Sequence, residues 1–254
     1  MLYSIAPGKP AEQTEASEAM EDGPRYAVYF VPAAESELYR LGSAVLRYDC
    51  YTGRAVLPPK EFAGDTDEWE KVTEEPRRYG FHATLKAPFR IAPSCTETQL
   101  VSALQSFAGL GRVAAVIKPR VQMLSGFAAI LPDRPEPAVD TLAADCTTIF
   151  DAFRAPMGAQ ERARRVASGL NHGQIENLDR WGYPYLFADF RFHMTLTGRI
   201  ESNRRDSTLA TLQAILRQVC GSGRVAIDRL ALVKQESAAV PFRVLSQALL
   251  RGAR

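Results

Sequence analysis

Apolar and polar positions along this 254-residue chain switch between a period of two and one of roughly 3.6, and the switches mark its elements. Arg25-Tyr-Ala-Val-Tyr-Phe-Val31 is β-branched and aromatic and stops at Pro32, predicting a first strand. From Glu35 to Tyr48, Leu38, Leu41, Val45 and Leu46 fall on one stripe behind Ser36 as a cap, predicting a helix. Residues 52–76 carry Pro58-Pro59 and dense charge, which predicts a loop with a short helical turn around Trp69. Tyr79 to Phe89 predicts a strand ending near Pro88, and Thr96 to Phe107 a helix. Val113 to Leu124 and Phe127 to Leu131 pair as strands about a Ser125-Gly126 turn. Pro135 and Pro137 introduce a helix over residues 138–153, and residues 160–178 form a basic helical stretch broken at Trp181-Gly-Tyr-Pro184. A strand over 187–200, a helix over 207–220 and two closing strands, 225–233 and 242–250, complete the chain.

The two halves share one order: a strand bearing a histidine, a helix, then two strands. That predicts a duplicated α+β unit with antiparallel sheets, in lobes of roughly 25–131 and 132–254 that exchange strands. Residues 1–24 show no sustained apolar period and are expected to form a mobile tail, with Met20 a second candidate start.

Composition narrows the function classes. Hydrophobic residues at 46% and charged residues at 24% fit a globular chain and exclude a disordered or fibrous one. A net charge of +2 is too small for a protein that coats nucleic acid, so RNA is the lesser of the partner expectations. No apolar run approaches the ~20 residues of a membrane span, and the first residues lack a secretory pattern, so a cytoplasmic location is expected. Cys50, Cys95, Cys146 and Cys220 form no close pair, and buried thiols are the reading that follows.

The chemistry sits in a repeat. Phe81-His-Ala-Thr-Leu85 recurs 111 residues on as Phe192-His-Met-Thr-Leu196, and takes two of the chain's three histidines. On a strand, His82, Thr84 and Lys86 share one face, while Phe81, Ala83 and Leu85 share the other. In the second copy Arg191, His193, Thr195 and Thr197 share the polar face. Two imidazoles facing across a groove suit a cyclic phosphodiester: one neutral ring takes a proton from water, and the other, protonated, gives one to the leaving oxygen. Thr84 and Thr195 supply hydroxyls for the phosphate oxygens, and Lys86 or Arg191 a positive charge. A metal held by the two histidines would want a carboxylate or third imidazole close by, and threonines are poor ligands, so neither metal nor cofactor is expected.

The longer strings Arg78-Tyr-Gly-Phe-His-Ala-Thr-Leu-Lys86, Trp181-Gly-Tyr-Pro-Tyr185 and Phe190-Arg-Phe-His-Met-Thr-Leu-Thr-Gly198 resemble the 2H phosphoesterase superfamily, over roughly residues 26–250. They are most similar to a branch tied to phosphonate metabolism, whose genes lie beside carbon–phosphorus lyase genes. The resemblance implies a bilobed, pseudo-twofold fold with two antiparallel sheets lining a central groove and helices outside. It implies His82 and His193 as the acid/base pair and Thr84 and Thr195 as phosphate-binding hydroxyls. A small ribose-derived cyclic phosphate is the implied substrate.

Further binding candidates are Arg78 and Tyr79 before the first motif and Tyr183 and Tyr185 before the second, where a ring can stack on a sugar or base. Gln235 is read as solvent-exposed, and His172, in Asn171-His-Gly173, as a solvated loop residue. Arg162, Arg164 and Arg165 read as a solvated helical face. Two rival functions stand beside the diesterase: an RNA-end enzyme that opens terminal cyclic phosphates or joins 2′-5′ bonds, and a sensor that binds a phosphorylated ligand without turning it over.

Overall fold

A computed structural model describes residues 23–221 and 223–252. All but the last two residues of the expected tail, Met20 included, lie outside them.

The fold is α+β. Seven antiparallel strands build one sheet in the order β11-β10-β1-β4-β8-β7-β6, where β1 is Arg25–Phe30, β4 Ala83–Phe89, β6 Pro119–Leu124, β7 Phe127–Pro132, β8 Met194–Arg199, β10 Arg229–Gln235 and β11 Arg243–Leu249. Two short pairs stand apart from it: β2 (Tyr48–Asp49) with β3 (Arg54–Ala55), and β5 (Ala115–Ile117) with β9 (Val225–Ile227). The two separate sheets expected from the sequence are therefore joined edge to edge, because β4 and β8 bond through Ala83 and Met194. The hairpin β6–β7 sits beside β8, although it follows β4 in the chain.

Seven α-helices accompany the sheet among the described residues: α1 (Glu37–Leu46), α2 (Thr66–Arg77), α3 (Glu97–Ala108), α4 (Pro137–Phe150), α5 (Ala159–Val166), α6 (His172–Trp181) and α7 (Arg205–Cys220). Ser36 caps α1 as its sequence predicts, accepting from the Tyr39 amide. α2 packs on β8, α4 on β4, and α3 on β10 and β11. The buried face of each motif anchors it there. Phe81 is fully buried, and its ring lies so close to the backbone of Gly42 in α1 that a Cβ there would collide with it.

Several stretches differ from the periodicity. The strands expected over 113–124 and 225–233 each divide between the short β5–β9 pair and the seven-stranded sheet, as β5 and β6 and as β9 and β10. Residues 66–77 are a full helix rather than a turn. Trp69, Thr73 and Pro76 form its buried stripe, and the Trp69 ring stacks on Phe62 at 3.7 Å. The basic stretch 160–178 is two helices, parted at Gly169 (φ +88°) and restarted by the Asn171–Gln174 capping box. Of the strand expected over 187–200, only Met194–Arg199 is extended in a ladder; a 3₁₀ turn occupies Phe187–Asp189.

Candidate functional site

The two pentapeptides meet at the centre of the sheet. Counting antiparallel from the Ala83–Met194 pair sets His82 across from Thr195 and Thr84 across from His193. Each histidine stands one residue ahead of its strand rather than within it. The chain arrives in a tight turn at the first motif: Gly80 has φ +71°, and a Cβ there would lie 2.7 Å from that of Cys50.

That approach orients the ring. His82 Nδ1 lies 2.8 Å from the Gly80 carbonyl, and His193 Nδ1 lies 2.7 Å from the Arg191 carbonyl. A carbonyl only accepts, so Nδ1 donates in both and Nε2 is left for chemistry. His82 Nε2 is 3.2 Å from Thr84 Oγ1, which donates to it. The His82 ring stacks on Tyr29 of β1 at 3.8 Å, and His193 tilts against Phe127 at 5.9 Å. Burial pushes the His82 pKa down to about 4. The Gly80 carbonyl opposes that shift, and charge on His193 adds to it.

A two-limbed cleft opens over these residues. One limb, about 310 Å³, is lined by His82, Thr195, Tyr79, Phe127, Glu75 and Arg199. The other, about 480 Å³, is lined by Thr84, His193, Tyr183, Tyr185, Asp189 and Arg191. Ser125 and Phe127 line both, so the limbs adjoin at the β6–β7 turn. Each limb thus holds the histidine of one motif and the threonine of the other.

The remaining sequence candidates divide. Tyr79 lines the His82 limb, stacked on Phe242 at 5.6 Å, and Tyr185 and Arg191 line the His193 limb. Lys86 does not join them. On β1, Val28 pairs with Lys86 while the next residue, Tyr29, pairs with Thr84, so β4 bulges at Leu85. The extra residue breaks the alternation and turns Lys86 onto the opposite, helix-covered face. There its side chain is 3% exposed, with the ammonium 3.1 Å from Asp151 and 3.2 Å from the Thr147 carbonyl. Arg78 donates instead to the Ala238 carbonyl, outside both linings. Gln235 is buried, not exposed, accepting from Arg25 at 2.8 Å and donating to the Val240 carbonyl. His172 is the first residue of α6, almost fully exposed and 3.4 Å from Glu176. Arg162 and Arg165 form ion pairs with Asp179 and Glu161.

Several lining residues escaped the sequence, among them Glu75, Phe127, Asp189, Ser125 and Arg199. Ser125 was legible as a turn, but nothing in its neighbourhood says that the turn borders the cleft. Arg199 lies at the end of a strand with no motif of its own. Among the described residues no group of three or more His, Cys, Asp or Glu side chains is placed to hold a metal ion, and no helix is long and apolar enough to cross a membrane.

A family model described as "Protein of unknown function (DUF1045)" matches residues 84–243, from Thr84 to the start of β11 and across the whole second motif. The chain belongs to the DUF1045 family. Two curated relatives of this DUF1045 chain are both named ribose 1,5-bisphosphate phosphokinase PhnN. That of Janthinobacterium sp. (strain Marseille) is 34% identical over 221 residues, 86% of this chain and 49% of the relative. That of Laribacter hongkongensis (strain HLHK9) is 33% identical over 222 residues, 87% of this chain and 50% of the relative. The DUF1045 chain therefore spans about half the length of these relatives.

Proposed function

We propose that this chain is a metal-independent cyclic phosphodiesterase of the 2H type that opens a small ribose-derived cyclic phosphate in phosphonate breakdown. The observation that carries the reading is the crossed pairing of the two motifs, His82 with Thr195 and Thr84 with His193, around one cleft. The matched order of strand, helix and two strands in each half supports the pseudo-twofold architecture of that superfamily.

The chemistry divides between the two rings. Burial disfavours a proton on His82, and charge on His193 disfavours it further, so we assign His82 as the base and His193 as the acid. His82 Nε2 takes a proton from a water molecule attacking phosphorus. As the P–O bond opposite the water breaks, His193 Nε2–H protonates the departing sugar oxygen. Water is added overall: a phosphomonoester and a free hydroxyl replace the ring. Thr195 donates to a non-bridging oxygen as charge gathers on it, and Thr84 turns its hydroxyl from His82 Nε2 to the phosphate once the attacking water takes its place at that nitrogen.

The relatives' name points to the same compounds. Ribose 1,5-bisphosphate is what remains when the 1,2-cyclic phosphate of ribose 5-phosphate opens at O2. The sequence here carries no G-x-x-x-x-G-K-[ST] phosphate loop, and its match takes in half of each relative. We assign the named kinase step to the relatives' other half and the opening step to this one.

Phosphorus NMR on EDTA-treated protein tests the reading, with ribose 1,2-cyclic phosphate 5-phosphate, nucleoside 2′,3′-cyclic phosphates and a short RNA bearing a cyclic end. Opening of the sugar phosphate to the 1,5-bisphosphate, lost in His82→Ala, is the expected result. Turnover of RNA ends alone replaces it with the RNA-end enzyme, and binding without turnover of any compound replaces it with the sensor.

A further inference from the structure

We propose that Arg199 anchors a second phosphate of the substrate, so that the limb of the cleft shared by His82 and Thr195 is a phosphosugar site. This rests on the diesterase reading above and adds to it which end of the cleft takes the sugar and what marks the sugar for entry.

The cleft holds one arginine in each limb, Arg199 beyond Thr195 and Arg191 before His193. Among the described residues neither forms an ion pair or a side-chain hydrogen bond, whereas Arg40, Arg47, Arg77, Arg112, Arg154 and Arg229 each hold a carboxylate. A guanidinium beside a phosphate-handling pair and without a carboxylate is available for an anion.

The Arg199 limb is the better fit for a phosphosugar, although Ser125 and Phe127 border both limbs. Its stem and guanidinium lie along the β6–β7 turn, where its Cγ and Nε are within van der Waals reach of Gly126. The preceding residue, Ser125, has φ +50°, a left-handed backbone unusual for serine, and borders the cleft at the junction of its limbs. It adds a hydroxyl between the two phosphate positions. The same limb carries the Tyr79 and Phe127 rings, suited to the C–H face of a pentose, and Glu75, an acceptor for sugar hydroxyls. At about 310 Å³ it suits a phosphorylated pentose. Arg191 shares its limb with Asp189, which Gln174 approaches at 3.4 Å, and with two tyrosines, a broader and more mixed surface. The substrate class is thus a cyclic phosphodiester carrying a separate phosphomonoester about one pentose away.

The test is the ratio of kcat/KM between ribose 1,2-cyclic phosphate 5-phosphate and ribose 1,2-cyclic phosphate, for the wild type, Arg199→Gln, Arg199→Lys and Arg191→Gln. The wild type should prefer the phosphorylated sugar. Arg199→Gln should cut that preference about 10- to 100-fold, the worth of hydrogen bonds to a charged group. Arg199→Lys should restore part of it, and Arg191→Gln should leave it standing. Arg199 is exposed, so thermal melts should match the wild type. A wild type without preference, an equal loss on both sugars in Arg199→Gln, or a preference erased by Arg191→Gln instead overturns the assignment alone. A wild type that opens neither sugar overturns the diesterase reading and this site with it.

Discussion

His82 lies across the sheet from Thr195, not from His193, because β4 and β8 run antiparallel through the Ala83–Met194 pair. Across the ladder each imidazole therefore faces the hydroxyl of the other motif, while His82 Nε2 also accepts from Thr84 of its own. On the proposed chemistry, replacing one histidine removes one proton-transfer partner and leaves the cleft. His82→Ala and His193→Ala should each lower kcat by roughly 10²–10⁴-fold. The double variant should fall little further, since the two act as one unit. Steady-state kinetics with far-ultraviolet circular dichroism checks this; additive losses would mean the rings act independently.

Half of this was legible beforehand. The motif repeat is local, with four of its five positions identical, so the two His-x-Thr strand starts could be taken from residue types alone. Ser36 as a cap and Ser125-Gly126 as a turn were legible for the same reason: their signals span four residues. Lys86 was misread because a bulge at Leu85 depends on how β1 packs against β4, 55 or more residues earlier in the chain, and no local pattern encodes it. Arg199 and Ser125 escaped because both reach the cleft through strand order, with β7 beside β8. Residues 66–77 hid a helix behind charge, since Trp69, Thr73 and Pro76 make too sparse an apolar stripe to stand out.

The depressed His82 pKa carries a sign that two measurements share. In the unfolded chain an ordinary histidine takes its proton near 6.5, whereas in the fold it does so at about 4. Between those values the unfolded state binds more protons, so this residue makes stability rise with pH from about 4 to 6.5 and then level off. The contribution is about 3 kcal/mol at most. His82→Gln should flatten the pH dependence of the melting temperature across that window. Activity of the wild type should also persist on the acid side until His82 protonates near 4. A stability profile identical in His82→Gln would show that the ring is not desolvated.

Lys86 separates a buried structural cation from a catalytic one. It packs under α4 with Asp151, which also accepts from Arg154 at 2.7 Å, and burial pushes the Lys86 pKa down while Asp151 opposes that. Lys86→Ala would leave a cavity and a carboxylate with one partner fewer, at a cost of about 2–4 kcal/mol. Lys86→Met keeps the stem and should cost less. Urea midpoints should fall in that order, with kcat/KM of the folded fraction within a few-fold of the wild type. A Lys86→Met protein that is stable but has lost a hundredfold in kcat/KM would return the ammonium to the cleft.

Gly80 links backbone conformation to the orientation of His82. Its φ of +71° is strained for any residue with a Cβ, and that Cβ would meet Cys50 at 2.7 Å. Its carbonyl is also the acceptor that fixes His82 Nδ1–H and so turns Nε2 to the cleft. Gly80→Ala should therefore destabilise by about 1–3 kcal/mol through strain, and should lower kcat beyond what the unfolded fraction explains. Relieving only the clash, with Cys50→Ala in the Gly80→Ala background, should recover part of the stability but not the rate, because the left-handed φ still resists alanine. Full recovery of both in the double variant would trace the defect to the Cys50 contact and free the Gly80 carbonyl of any part in aiming His82.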